Sequence, residues 1–264
     1  MTTANRPALV AAVRRLAVVH RDQLEELKQG ARDLDRPDFV WHFLLQAYST
    51  WGSSLGWEGL IKTPENYARV TWAALLPLTR EERIVQAEDT FRAAKMRYAA
   101  NKARYLADNL ERIQGWGGLQ AARERLFSAE GAGGKLRFWK SLSGIGPKYA
   151  RNVMMDVYHP DFHDSIAIDQ RIKRVLEAVG APEGSYGEQE EWLLAVARDA
   201  GLNGWELDRL LYHHRDAVLD VLRAPGVPAG DGAHPDDVLL ELRELLRTGR
   251  VDAALQRIDA ALGR

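Results

Sequence analysis

Apolar residues along this chain recur at the spacing of a helix and almost nowhere at that of a strand. Phe39, Val40, Phe43, Leu44 and Ala47 fall at i, i+1, i+4, i+5 and i+8, which draws one stripe down a helical cylinder. Ala150, Val153, Met154 and Val157 draw a second. Ile168, Ile172, Val175, Leu176 and Val179 draw a third, with Gly180 placed to end the helix as a C-cap. Leu207, Leu210, Leu211, Val218 and Leu222 draw a fourth. No segment alternates with period two for long enough to make a strand. The expected fold class is all-α, with about ten to twelve helices of the usual length of about 11 residues.

One stretch interrupts the pattern. Residues 223–235, RAPGVPAGDGAHP, hold three prolines and three glycines with little apolar content, and read as a linker. Residues 236–264 read as a short helical extension that turns near Gly249.

A chain of 264 residues suits one large domain or two small ones sharing a cleft. With 46% apolar and 28% charged residues it should pack rather than stay disordered. Cysteine is absent, which excludes disulfides, thiolate zinc sites and cysteine-ligated iron–sulfur clusters and fits a reducing cytoplasm. The first twenty residues read as a helix rather than a signal peptide, and no apolar run is long enough to span a membrane. The net charge of −1 does not by itself mark a nucleic-acid binder. The charge is uneven, however. Residues 135–151, KLRFWKSLSGIGPKYAR, hold five Lys or Arg and no acid, and Arg92, Lys95, Arg97, Lys102 and Arg104 form a second basic group. Such groups are either solvated helix faces or anion-binding surfaces.

The most informative stretch runs from Leu142 to Val175. Leu142-Ser143-Gly144-Ile145-Gly146 joins two helical segments, and two glycines spaced by one residue permit a tight turn with positive φ. Such a turn at a helix start is either a plain connection or a site that presents backbone N–H groups to an anion. Pro147 suits the first helical position. Lys148 follows in the positive end of the helix dipole, a field that lowers an amine's pKa as a nucleophile requires, although a lone lysine is ordinarily a surface residue. Asp169 follows Ile166-Ala167-Ile168 and precedes a helix. It reads as an N-cap, and a capped carboxylate is also a well-oriented one.

Taken jointly these residues resemble the helix-hairpin-helix DNA glycosylase superfamily, the endonuclease III-like enzymes. The match is carried by Leu142, Gly144, Ile145, Gly146, Lys148 and Ala150, then by Ala167, Ile168, Asp169, Ile172, Arg174 and Val175. Upstream, FVWHFLLQAYSTW is similar to the family helix that ends in a glutamine, here Gln46, and Tyr98 to Ala103 resembles the helix before the hairpin. The likeness spans about residues 38–222 and implies two helical domains flanking a DNA-binding cleft: residues 40–157, and residues 1–39 with 158–222. It also implies that a damaged base is flipped out of double-stranded DNA. Lys148 would attack the sugar C1′, form a Schiff base and cut the strand by β-elimination, while Asp169 stabilises the positive sugar. Leu142, Gly144, Ile145, Gly146, Lys140, Arg151 and Lys102 would contact DNA.

The chain departs from the family in two ways. Without cysteine it lacks the cluster of many members and is closer to the cluster-free branch, which includes the 8-oxoguanine glycosylases. Lys148 and Asp169 also stand farther apart in sequence than is usual, the difference falling in the loop HPDFHDS, residues 159–165. Its His159, Asp161, His163 and Asp164 could hold a metal but read better as solvated loop residues. The base pocket would draw on Gln46, Trp51, Trp205, Asp208 and Tyr212, though aromatic residues at helical spacing usually belong to a core. The implied function is base-excision repair by a glycosylase with AP lyase activity, with 8-oxoguanine favoured, as a cytoplasmic monomer without metal or cofactor other than a monovalent cation at the hairpin. A water-using glycosylase for alkylated or mismatched bases and a non-catalytic DNA-binding module are the other two readings.

Overall fold

The computed structural model of the protein describes residues 5–51 and 55–223, with residues 251, 255 and 256 beyond them. The expected linker, 223–235, lies outside the described residues apart from Arg223, and the extension, 236–264, apart from those last three positions. In chain order the helices are α1 (Arg6–Val19), α2 (Arg21–Leu27), α3 (Phe39–Thr50), α4 (Pro64–Arg69), α5 (Trp72–Leu75), α6 (Arg80–Ala93), α7 (Ala99–Gly115), α8 (Leu119–Phe127), α9 (Gly131–Lys140), α10 (Pro147–Asp156), α11 (Gln170–Ala178), α12 (Tyr186–Ala200) and α13 (Gly204–Arg223). No strand occurs among the described residues, as the apolar spacing predicts. The helices outnumber the prediction because α2, α4 and α5 have only seven, six and four residues, too few to draw a stripe.

The described residues belong to two compact units, Gly30–Asp161 and Met1–Gln29 with Phe162–Arg264. The first is built on α3. Its predicted stripe is buried, and so are Trp41, Leu45 and Tyr48 on its other sides, so the helix is covered nearly all round. Helices α8 and α10 pack on it, α6 pairs with α7, and α9 packs against both α8 and α10. Each fully buried Leu or Phe of this set contributes about 1.5–3 kcal/mol. Local signals agree with the packing. Thr79 and Glu82 close a capping box on α6, and Pro147 stands in the first turn of α10.

The second unit packs α1 against α12 and α13, with α11 on α13. Its core includes Leu9, Val13, Ile172, Val175, Val196, Leu207 and Leu211. Through this core runs Ser165–Ile168, buried yet neither helix nor strand. Buried amides outside regular structure need other partners. Side chains from α12 and α13 supply them. Glu190 Oε1 accepts the Ile166 N–H (3.1 Å), Asp208 Oδ1 the Ala167 N–H (2.8 Å), and the Tyr186 hydroxyl the Ile168 N–H (3.0 Å). The Tyr186 hydroxyl also donates to the Ile166 carbonyl (2.8 Å).

Removing that hydroxyl strands an amide and a carbonyl in the core. Tyr186→Phe is expected to destabilise the protein by about 1–3 kcal/mol, read as a lower urea midpoint at unchanged m-value.

Candidate functional site

The turn between α9 and α10, residues 141–146, is the centre of the first unit's candidate site. Gly144 has φ +80°, a conformation other residues adopt only under strain. A Cβ there would stand 2.9 Å from Tyr105 Cδ2 and 3.1 Å from Tyr48 Cε1. Both the backbone angle and the close approach of two rings therefore require glycine. Gly146 differs: its φ is −90°, and no atom lies within 4 Å of a Cβ placed on it. The chain's own packing does not need glycine at Gly146, whose open side suits close approach of another backbone.

Polar bonds tie the turn to α3 and α7. Ser143 donates its N–H to Asn109 Oδ1 (2.8 Å), and its carbonyl accepts from Asn109 Nδ2 (3.0 Å) and the Tyr48 hydroxyl (2.5 Å). Burial raises the Tyr48 phenol well above its usual pKa, so it remains a donor. Arg112 donates to the Ser141 carbonyl, and the Leu142 carbonyl accepts the Ile145 N–H. Each of these three carbonyls already accepts a hydrogen bond from within the chain. Leu142 and Ile145, expected to contact DNA, are buried instead, and the Leu142 N–H and carbonyl and the Ile145 N–H are hydrogen-bonded within the chain.

Lys148 is the second residue of α10 and is half-buried, with Nζ 4.2 Å from the centroid of the Tyr149 ring. That ring occupies one flank of the amine. Lys140 is exposed and Arg151 half-buried. Gln46 is tied to the helix of Lys148: its Nε2 donates to Asp156 Oδ2 (3.3 Å), which also accepts from Asn152 Nδ2 (2.9 Å). Trp51 is half-buried, nearly parallel to Tyr105 at 6.3 Å, and 5.9 Å from the exposed ring of Tyr98.

Two cations of the predicted basic face are not surface charges. Lys102, expected to contact DNA, is fully buried. Its Nζ donates to the Trp51 carbonyl (2.8 Å) and lies 5.3 Å from the centroid of the Trp51 ring, and desolvation lowers its pKa to about 8. Lys135 is buried too, bonded to the Ala129 carbonyl and to Asp161 at 2.6 Å. That hydrogen bond and the charge of Lys135 hold the Asp161 carboxyl below its usual pKa. Arg137 and Lys140 keep their exposure.

In the second unit Asp169 is the N-cap of α11, with Oδ1 accepting from the Arg171 N–H (2.8 Å) and the Ile172 N–H (3.1 Å). The predicted cap is therefore formed, and both bonds fall on one carboxylate oxygen. The base-pocket expectation fails for two residues. Trp205 is 1% exposed and belongs to the core. Asp208 is 2% exposed and holds the Ala167 amide, two residues before Asp169. Tyr212 remains exposed, with the Arg171 guanidinium 4.3 Å from its ring centroid.

The structure thus groups Lys148, the hairpin, Gln46 and Trp51 in one unit, and Asp169, Asp208, Trp205 and Tyr212 in the other. In the loop 159–165, Asp161 serves Lys135 and the His163 carbonyl accepts the Trp205 N–H (2.8 Å). Among the described residues no group of three or more His, Asp or Glu could hold a metal ion. Sequence reasoning missed Tyr48, Asn109, Tyr186 and Glu190. Asn109 had a signal: it lies in the apolar stripe of α7 with Leu106, Leu110 and Ile113, and a polar residue there must find a buried partner. Comparisons with protein-family models, with curated proteins and with solved structures return no match.

Lys102 binds its proton less tightly in the folded chain than at its ordinary value of 10.5. The unfolded chain binds more protons between pH 8 and 10.5, so stability is expected to rise with pH across that window. Below it, the desolvated charge destabilises the fold by about 3 kcal/mol. Lys102→Met is expected to abolish the rise and to raise stability at pH 7 by about 1–3 kcal/mol, measured by urea titration at pH 7, 9 and 10.5.

Proposed function

We propose that this protein is a helix-hairpin-helix DNA glycosylase with AP lyase activity, acting on double-stranded DNA that contains an oxidised base, 8-oxoguanine foremost. The observation that carries the reading is the turn at Ser143–Gly146, bonded to α3 and α7 and leading directly into the helix start that bears Lys148. The open side of Gly146 and the positive end of α10 suit a phosphate group. The N-cap geometry of Asp169 supplies a carboxylate with a fixed orientation.

In this reaction the Lys148 amine donates its electron pair to C1′ of the damaged nucleotide. The bond from C1′ to the base breaks, and the base departs with that electron pair and takes up a proton. The sugar ring opens to a Schiff base on Nζ. Loss of a C2′ proton then expels the 3′ oxygen with its phosphate, which cuts the strand. Positive charge develops on the sugar as the base leaves, and the Asp169 carboxylate stabilises it. With Trp205 and Asp208 committed to the core, contact with the extruded base falls to Trp51, Gln46 and Tyr212. Tyr212 is exposed and Trp51 half-buried, and both offer a ring on which a base can stack. The lack of cysteine accords with the cluster-free branch of the family.

Borohydride treatment during turnover of a single-lesion duplex is expected to give a covalent protein–DNA adduct, lost in Lys148→Gln. Full strand cleavage by Lys148→Gln would refute the mechanism. Base release without an adduct would indicate the water-using type, and duplex binding with neither a non-catalytic module. Binding itself is expected to weaken steeply with salt, through Lys140, Arg137 and Arg151, and a flat response between 50 and 200 mM salt would contradict phosphate contacts there.

A further inference from the structure

Both backbone polar groups of Ser143 are held by a single side chain. Asn109 accepts its N–H and donates to its carbonyl, much as a neighbouring strand would. The Tyr48 hydroxyl donates to the same carbonyl and accepts from Asn109 Nδ2 at 2.9 Å, which closes a three-membered circuit. Asn109 and Tyr48 are both fully buried. An apolar residue at position 109 would continue the stripe of α7 but leave the Ser143 N–H without its partner, so the asparagine serves the turn rather than the packing of α7. What the circuit does fix is the plane of the peptide just before Gly144. From there the chain has only Gly144, Ile145 and Gly146 before Pro147 opens α10, so the setting of that plane decides where the turn and the start of α10 face.

We propose that Asn109 and Tyr48 are positioning residues of the hairpin, holding the Ser143 peptide so that the outer side of Gly144–Gly146 is presented to a DNA phosphate. They act through the turn and touch neither the sugar nor the base. This inference rests on the DNA-repair reading above and adds to it the residues that set duplex affinity.

The test is anisotropy titration of an undamaged fluorescent duplex at salt concentrations from 50 to 200 mM. It compares wild type, Asn109→Ala, Asn109→Asp, Tyr48→Phe and a core control, Leu126→Ala, whose side chain is buried in α8. Circular dichroism and urea midpoints establish that each variant is folded under the assay conditions. Asn109→Ala is expected to bind about tenfold more weakly than the control, with a log–log salt slope shallower by about 1, the loss of one phosphate contact. Tyr48→Phe keeps both Asn109 bonds to Ser143 and should fall between wild type and Asn109→Ala. Asn109→Asp keeps only the acceptor for the Ser143 N–H and should resemble Asn109→Ala. If Asn109→Ala is unfolded, Asn109→Asp and Tyr48→Phe decide the matter by the same slope. Folded Asn109 variants with the control's affinity and the wild-type slope would overturn the proposal. Absence of salt-dependent duplex binding by wild type would overturn the DNA reading and this proposal together, and is distinguishable because it shows before any substitution is made.

Discussion

An amide buried outside a helix must find a hydrogen-bond partner, and where the described residues form no strand, side chains and turns provide it. Helices settle their own backbone, so the requirement falls on the few places where the chain crosses the interior in another conformation. Two such places stand out. At Ser143 the partners are Asn109 and Tyr48, and from Ile166 to Ile168 they are Glu190, Asp208 and Tyr186. Each leads into a helix start, and each helix start carries one of the two residues assigned to chemistry, Lys148 and Asp169. Asn109, Glu190 and Asp208 are thus buried polar side chains spent on fixing backbone direction.

Electrostatics follow the same division between interior and surface. A basic run in a sequence is a count of cations, whereas an anion responds only to those that reach solvent. Lys102 is withdrawn beneath Trp51, and Lys135 is neutralised by Asp161. What remains near the hairpin is a narrower group made of Arg137, Lys140, Lys148 and Arg151. A near-neutral protein can still hold a duplex in this way, because local charge density rather than net charge governs phosphate contacts.

Much of the fold was legible because its signals are local. The stripes of α3, α10, α11 and α13, the proline that opens α10 and the aspartate that caps α11 are all set by neighbours within a turn or two. The burial of Trp205 and Asp208 was not legible. Spacing puts both residues on a helix, but whether that face meets solvent or Ser165–Ile168 depends on a segment about 40 residues away in sequence. Lys102 and Asn109 lie between these cases. Their places in the α7 stripe with Leu106 and Ile113 announce burial, while their partners on Trp51 and Ser143 are set by tertiary structure alone. The short helices α4 and α5 escaped notice because four to six residues cannot display a period.

The buried segment before Asp169 also governs where the chain tolerates changes of length. Three successive amides meet three side chains from two other helices, each matched to one position. Inserting or deleting a residue between Ser165 and Asp169 would slip the register and forfeit every one of these pairings at once. An added residue among Pro160–Asp164 keeps those three pairings in register but disturbs the Asp161 bond to Lys135 and the His163 carbonyl bond to Trp205. The carboxylate of Asp169 therefore keeps its station only while the buried segment before it keeps its length.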